Sequence, residues 1–326
     1  MTRLRNASAL PGILPPSLLP PLGSWRRPSG PREPVWREGE TIVFLANLGS
    51  FRAPSVKRVD LAGGTMLSRP TQNDERRIAR LRERALFGLA AWPTPRLEAY
   101  VAKTSLVCED YETAEEQARH RFQRVSLALR LMKPGPVTLS GEMAYQPGVR
   151  FSERRFSSWF PGGPLFAVAR GDYEFDSSDR SLFRQLYDGL ASSVEGAAIA
   201  FRRFALANER EAVQDRLVDH WVALESLFSK GGESELRYKF AMRISYFLER
   251  EPEPRLELFK RLYDAYQVRS DIVHGGVSKK NMREAEEASA TSLRRSLLCV
   301  VMEGKPPNPG DLDELAAQGI PRRSNT

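Results

Sequence analysis

The sequence RLYDAYQVRSDIVHGG, residues 261–276, decides how the second half of the chain folds. Its apolar side chains recur at the spacing of one helix face, and Arg269 lies within that face. The apolar residues around it are Leu262, Tyr266, Ile272 and Val273. Gly275 and the glycine after it end the pattern, as glycines commonly do at helix C-termini. We therefore predict a helix over about 255–273 with an inward-facing arginine near its end.

The same helical texture extends over residues 176–304. Prolines become scarce after Asp176, and apolar residues recur at helical spacing. Further helices are predicted over about 178–206 with a kink near Gly196, and over 212–228, 234–250 and 281–304. The run Glu251-Pro252-Glu253-Pro254 is predicted to break the chain between two of them. Asn281 with Glu284 is typical of a capping box. These signals predict an all-α bundle.

Residues 36–175 read as a mixed α+β region. Strands are predicted over 41–48, 96–107, 137–145 and 164–170, with helices over about 73–91, capped by Asn73, and 113–131. No recognisable catalytic or binding motif stands out in this region, and its role is left open. The proline-rich residues 1–35 and the last residues, 305–326, are predicted to be disordered tails.

The charge balance favours a polyanionic partner. The chain has 326 residues, a formal net charge of +8 and a pI of about 9.6. Such a balance suits RNA, whose phosphates lysine and arginine neutralise. Arginine-rich usage also makes a chain basic without any such partner, so the charge alone is a weak indication.

The cysteines, histidines and apolar runs argue against a disulfide-bonded, zinc-binding or membrane-spanning protein. The two cysteines, Cys108 and Cys299, lie in apolar patterns and are predicted to be buried free thiols. Two cysteines and three scattered histidines do not form a standard zinc site, and no metal or other cofactor is expected. No apolar run reaches the length of a membrane span, and prolines interrupt the leucine-rich N-terminus where a signal peptide would need a continuous apolar segment. A cytoplasmic location without membrane attachment is expected.

Three charged residues interrupt apolar helix faces of the predicted bundle: Glu225, Arg243 and Arg269. Buried charges are costly unless they are paired. We predict that Glu225 and Arg243 form a structural ion pair, which leaves Arg269 facing inward with a different task.

Arg269 and His274 form an Arg-x-x-x-x-His pattern at the end of a predicted helix. The partial negative charge of a helix C-terminus favours the protonated imidazole, and Asp271 could orient it. An imidazole beside a guanidinium suits RNA cleavage by the 2′-hydroxyl, with acid–base catalysis from the first and charge stabilisation from the second. The alternative is that His274 only caps the helix. Of the other histidines, His120 is predicted to be solvated and His220 to be a bundle residue.

Three stretches resemble the Apea-like HEPN family. They are Phe201–Phe228, Tyr238–Ile244 and Leu262–Gly275, and they occur in the expected order over about residues 180–303. The resemblance implies an HEPN-type helical bundle that dimerises and brings two Arg-x-x-x-x-His motifs into one cleft. Arg269 and His274 match its catalytic pair, and Glu225 and Arg243 match polar positions of its bundle.

The resemblance also implies a function. Many HEPN proteins are metal-independent endoribonucleases that leave a 2′,3′-cyclic phosphate and a 5′-hydroxyl, and they recur as toxins and in abortive infection. Apea-like members are associated with anti-phage defence, where the N-terminal region senses or restrains, so an inhibitory or sensing partner is implied there. Ser270 departs from the larger polar residue often found after the arginine, which puts a supporting role for that position in doubt.

Two other functions remain open from the sequence. The bundle could bind RNA or a nucleotide in the same cleft without cleaving it. It could also serve only assembly, with the N-terminal region as the active part.

Overall fold

A computed structural model describes residues 38–77, 99–135, 137–148, 157–159, 172–192, 196–231, 234–276 and 280–319. The chain divides between Ala191 and Ser192 into two compact units. The first contains a β-sheet with helices, and the second is helical, which confirms the coarse α+β then all-α prediction. Within the described residues, no helix has both the length and the hydropathy needed to cross a membrane.

The first unit is built on a six-stranded antiparallel sheet. Its strands are β1 (Thr41–Gly49), β3 (Arg58–Leu61), β4 (Thr65–Ser68), β5 (Val101–Val107), β6 (Thr138–Tyr145) and β7 (Ser157–Trp159), in the order β3-β4-β5-β1-β6-β7. A separate parallel pair joins β2 (Phe51–Arg52) to β8 (Tyr173–Glu174). The predicted strand over 164–170 lies outside the described residues.

Strand β1 is the centre of this sheet. It pairs with β5 on one side and β6 on the other, and its register with β6 shifts between Ala46 and Asn47. Seven consecutive residues of β1 are buried, and six of them are apolar, Asn47 being the exception; burial on both faces explains why the sequence does not alternate.

Two long helices of the first unit are α1 (Tyr111–Met132) and α2 (Asp179–Gly189). Helix α1 packs on the sheet, and α2 packs on α1. The sequence prediction had assigned 179–189 to the bundle. The structure places this amphipathic helix in the first unit, because its apolar face, with Phe183 and Leu186, is buried there.

A helix also begins at residue 72, and Asn73 is not its cap. Thr71 accepts from the Asp74 N–H at 3.3 Å, and the Asp74 carboxylate accepts from the Thr71 N–H at 2.6 Å. This reciprocal pair is a capping box. Asp74 is also paired with Lys103 and accepts from the Tyr145 hydroxyl, so the start of the helix is tied to β5 and β6.

The second unit consists of helices that pack side by side. Their bounds are α3 (Ala198–Ala207), α4 (Val213–Phe228), α5 (Leu236–Leu248), α6 (Pro252–Val273), α7 (Met282–Glu303) and α8 (Pro309–Gln318). Helix α4 packs against α3 and α7, and α6 packs against α5 and α7. The buried face of α4 contributes Leu217, Trp221, Leu224 and Phe228 to the core.

Charged pairs join these helices at their edges. The buried Asp219 carboxylate accepts from Arg203 at 2.8 Å and from Arg210 at 3.2 Å, which ties α3 to α4. Arg216 pairs with Glu286 at 3.1 Å and ties α4 to α7.

The ends of the helices confirm three predictions and correct one. The predicted break between α5 and α6 is confirmed, since α5 ends at Leu248. Helix α6 begins at Pro252 and not at Arg255, because the first turn has no intrahelical use for the N–H groups that Pro252 and Pro254 lack. The predicted capping box at Asn281 is confirmed as an N-cap of α7, since its side chain accepts from Arg283 and Glu284 N–H groups. The predicted end of α7 at Gly304 is confirmed as well.

The prediction of a disordered tail after residue 305 is wrong for residues 309–318. They form α8, whose first turn Asn308 caps by accepting from the Gly310 N–H at 2.9 Å. Helix α8 packs on α5 and buries Leu312. The second unit therefore continues beyond the predicted bundle.

Candidate active site in the helical unit

Arg269 lies on the side of α6 that faces α4. Its Nη2 lies 3.0 Å from Oε1 of Glu225 and 3.1 Å from Oε2. The two side chains are 18% and 24% exposed, so neither is sealed inside the core. The guanidinium is thus a partly buried cation at the edge of the bundle, held by a carboxylate of the neighbouring helix.

Aromatic residues fix the position of this pair. The Arg269 guanidinium carbon lies 5.5 Å from the centre of the Tyr266 ring, one turn earlier on α6. That ring packs edge-on against buried Trp221 of α4, with 5.0 Å between the ring centres. Trp221 and Tyr266 are both buried and pack against each other. Their contact fixes the Tyr266 ring, which in turn supports the Arg269 side chain beside Glu225.

The environment changes the acidity of two groups here. Burial raises the pKa of the Glu225 carboxyl, while the Arg269 charge and a hydrogen bond from Tyr266 oppose that rise. Burial and the nearby Glu225 carboxylate raise the pKa of the Tyr266 hydroxyl, against the effect of Arg269. Glu225, Tyr266 and Arg269 therefore form one electrostatically coupled group.

The predicted Glu225–Arg243 pair is wrong. Arg243 is fully buried on α5, and its guanidinium donates to both oxygens of Asp313 on α8, at 2.7 and 2.9 Å, and to the Phe228 carbonyl at 2.8 Å. The prediction chose Glu225 because it interrupts an apolar helix face, and it left out Asp313 because α8 was taken for a disordered tail. Because Arg243 pairs with Asp313 of α8, the ion-pair partner of Glu225 is Arg269.

His274 is the C-cap residue of α6, and its side chain is exposed. Its N–H donates to the Ser270 carbonyl at 3.1 Å. Gly275 has a left-handed φ of +72° and donates to the Ile272 carbonyl, and Gly276 donates to the Asp271 carbonyl at 2.7 Å. These two bonds make a Schellman motif, which fixes the backbone on which His274 is mounted.

The two supporting residues of the prediction have different partners from those expected. The Asp271 carboxylate accepts from Gln267 Nε2 at 2.6 Å, one turn earlier on the same helix. Among the described residues, no hydrogen bond joins Asp271 to the His274 ring. Ser270 contributes its carbonyl oxygen, through the backbone bond from His274, and its hydroxyl is half-buried.

Arg269 and His274 do not share one face of α6. Residues five positions apart on an α-helix are rotated by about 140° from each other. Arg269 is turned toward α4, whereas His274 is exposed at the end of the helix. One chain therefore presents a guanidinium and an imidazole near one end of the unit without closing a complete site around a phosphate.

The other two histidines lie inside the protein. The prediction of a solvated His120 is wrong, because α1 packs that face on the rest of the first unit and leaves the side chain 3% exposed. His220 is buried as predicted, and burial lowers its pKa to about 4, with Arg216 adding to the decrease and Asp219 opposing it. His220 is therefore neutral at physiological pH.

The sequence pattern missed the role of Tyr266 at this site. It predicted Tyr266 as a core residue, and the coupling of its hydroxyl to Glu225 and Arg269 becomes visible only in the fold.

In the described residues, no group of three or more histidine, cysteine or acidic side chains is arranged to hold a metal ion. No family model, curated protein or solved structure matches this chain.

Proposed function

We propose that the helical unit is a metal-independent endoribonuclease of the HEPN type. The observation that supports this best is the partly exposed Arg269, braced by Glu225, on the helix that ends in the exposed His274. The resemblance of the three sequence stretches to Apea-like HEPN proteins supplies the reaction class. The net charge of +8 suits an RNA substrate.

In this proposal the 2′-oxygen of the substrate attacks the adjacent phosphorus and the 5′-oxygen leaves. One imidazole takes the 2′-hydroxyl proton or gives a proton to the leaving oxygen. The Arg269 guanidinium balances the added negative charge of the pentacoordinate phosphorane. The products are a 2′,3′-cyclic phosphate and a 5′-hydroxyl, and no group from outside the RNA enters them.

We further propose that two copies of the chain complete the site. Arg269 and His274 point in different directions on one helix, so a second α6 end would be needed to surround a phosphodiester. Glu225 acts as a positioning residue for Arg269 in each copy. The biological role that fits these proposals is a cytoplasmic toxin or anti-phage effector, with the first unit as the part that senses or restrains.

A non-catalytic RNA-binding module is the second candidate. The ion pair with Glu225 favours it, because that pair already neutralises much of the Arg269 charge that phosphorane stabilisation would use. In that case Arg269 and His274 would bind RNA without cleaving it.

The experiment that separates the two is incubation of purified full-length protein with total RNA in EDTA, followed by mapping of fragment ends. We expect fragments with 2′,3′-cyclic phosphate and 5′-hydroxyl ends from the wild type and none from His274→Ala or Arg269→Ala. Arg261→Ala is the matched control, since it removes an exposed arginine from the same helix. If the wild-type protein binds RNA but leaves it intact, the nuclease proposal is wrong and the RNA-binding module is supported.

A further inference from the structure

Two arginines of α1 lie against the sheet of the first unit. Arg124 is 7% exposed, its Nη2 donates to the Tyr187 hydroxyl at 3.2 Å, and its guanidinium carbon lies 4.5 Å from the centre of that ring. Arg121 is half-buried and donates to the Thr104 hydroxyl at 2.9 Å and to the Gly63 carbonyl. Both guanidinium groups therefore point into the same layer between α1, α2 and the sheet.

Neutral hydroxyl groups connect the two arginines. The Tyr187 hydroxyl donates to Thr65 Oγ1 at 3.1 Å, and Thr65 Oγ1 donates to Thr104 Oγ1 at 3.1 Å. Thr65, Thr104 and Tyr187 are all buried. In the described part of the chain, no carboxylate lies within ion-pair distance of either arginine.

Two positive charges without a counter-charge are unusual in a protein interior, because burial removes the water that would stabilise them. Burial lowers the pKa of the Arg121 guanidinium, and the charge of Arg124 lowers it further against an opposing effect of Tyr187. The nearby Lys103, also buried, has the Asp74 carboxylate as its partner. The arginine pair lacks such an acid.

Three buried nitrogen atoms in and next to the arginine pair have no hydrogen-bond partner among the described residues. Arg124 Nε is buried and forms no hydrogen bond to any described residue. His120 lies one turn before Arg124, and neither of its buried ring nitrogens has a partner among the described residues. Buried nitrogens of this kind normally have partners, so the cluster has unused hydrogen-bonding capacity.

The turn Ala62–Gly64 gives this cluster contact with solvent. All three residues are exposed, and Gly63 and Gly64 have left-handed φ values of +70° and +74°. A Cβ atom on Gly63 would lie 3.3 Å from the Arg121 guanidinium carbon. Because Gly63 has no side chain, the turn does not cover the Arg121 guanidinium with a side chain at this position.

We propose that Arg121 and Arg124, with the hydroxyl of Thr104, form a binding site for a small phosphorylated molecule under the Gly63–Gly64 turn. A phosphate dianion matches the two positive charges, and its several acceptor oxygens suit guanidinium and hydroxyl donors together. The site lies in the first unit and is separate from Arg269 and His274. It gives that unit a chemical task that the nuclease proposal does not require.

The test measures binding to the full-length chain carrying Arg269→Ala, which removes the other candidate phosphate-binding arginine. Inorganic phosphate and pyrophosphate are titrated by calorimetry and thermal unfolding at constant ionic strength, with malonate as a dicarboxylate probe. We expect saturable binding of at least one phosphate probe, a rise in Tm with its concentration, and weaker binding of malonate. No saturable binding, or malonate binding as tight as that of both phosphate probes, would overturn the proposal.

Two further variants separate a binding site from a structural network. Arg121→Gln should raise the Kd at least tenfold, and Arg121→Lys should raise it several-fold, while Arg58→Gln, whose exposed arginine pairs with Asp60, should leave it unchanged. Without phosphate, Arg121→Gln should unfold at the same temperature as its parent or a higher one, because it removes a like charge beside Arg124. A lower Tm for Arg121→Gln together with an unchanged Kd would mean that these arginines only hold the unit together.

Discussion

Arg243 and Asp313 are joined by two hydrogen bonds, Nε to Oδ1 at 2.7 Å and Nη2 to Oδ2 at 2.9 Å, across 70 residues of chain. The same carboxylate also accepts from Lys230 at 2.7 Å. This bidentate geometry is the strongest form of an arginine–carboxylate contact. Because Arg243 is fully buried, its charge depends on the carboxylate that α8 supplies.

Replacing Asp313 by asparagine should destabilise the helical unit by about 2–3 kcal/mol. Breaking a buried ion pair leaves an uncompensated charge, and the 32% exposure of Asp313 moderates the loss. Urea unfolding followed by circular dichroism measures it. Glu314→Gln, on the exposed side of the same helix, makes the same change of charge and should cost less than about 0.5 kcal/mol. Equal effects of the two variants would contradict a specific role for Asp313.

The same carboxylate should make the protein sensitive to strong acid. The hydrogen bond from Arg243, followed by that from Lys230, lowers the pKa of Asp313 to about 2, from 3.8 for the free side chain. A lowered acid pKa stabilises the fold above the unfolded pKa, and that stabilisation is lost as the pH falls from about 4 to about 2. The free energy of unfolding should therefore decrease more steeply in this window for the wild type than for Asp313→Asn. Parallel curves would show that the pair does not set this dependence.

His220 should produce a second acid dependence at higher pH. Burial lowers its pKa to about 4, so the unfolded chain takes up a proton near pH 6.5 while the folded chain does not. Stability should fall as the pH falls from about 6.5 to about 4, by on the order of 3 kcal/mol. His220→Gln should flatten this part of the curve of unfolding free energy against pH. An unchanged slope would mean that another group controls it.

Glu225→Gln should affect RNA cleavage more than stability. The substitution removes a carboxylate whose burial is costly, but it also removes the counter-charge of Arg269, so the two effects on stability oppose each other and should leave a change below about 1 kcal/mol. Without the pair, Arg269 is no longer held in one orientation, and we expect a loss of cleavage rate of at least tenfold. Glu225→Asp keeps the charge and should retain more activity than Glu225→Gln. Full activity of Glu225→Gln would exclude a positioning role.

Gly275→Ala should cost about 1 kcal/mol of stability, because its left-handed φ of +72° is strained for a residue with a Cβ atom. Gly275→Asn should cost less, since asparagine tolerates this conformation better. If the Schellman motif positions His274, cleavage should decline in the same order as stability, and unfolding and RNA assays measure the two. Loss of stability without any change in cleavage would show that the backbone of His274 is fixed by other contacts.

Local patterns predicted most of the helices and three of the six strands of the sheet, β1, β5 and β6, whereas the short strands β3, β4 and β7 were not predicted. Periodicity gave α4, α6 and α7 to within a few residues, and the apolar run at 41–48 gave β1. The helices carry apolar residues at helical spacing and most of β1 is buried, so their own sequences carry the information. The start of α6 was placed three residues late, because prolines were read as breakers in a position where they begin a helix.

The partners of the charged residues could not be read from the sequence. Burial showed that Glu225, Arg243 and Arg269 need counter-charges, but the choice among partners depends on how helices pack. Helix α8 was missed because, of its side chains, it buries Leu312 alone and offers little periodicity, although Asn308-Pro309 is a recognisable start. His120 was misjudged because its charged neighbours in sequence say nothing of the surface on which α1 packs.

The link between Arg243 and α8 has a consequence for synthesis. Ribosomes that add about 5–20 residues per second need roughly 4–14 seconds to travel the 70 residues from Arg243 to Asp313. During that interval the emerging helices contain a cation whose neutralising acid has not yet been made. The helical unit therefore reaches its final stability only after Asp313 has been synthesised, by which time the segment carrying the candidate RNA-cleaving residues has already been produced.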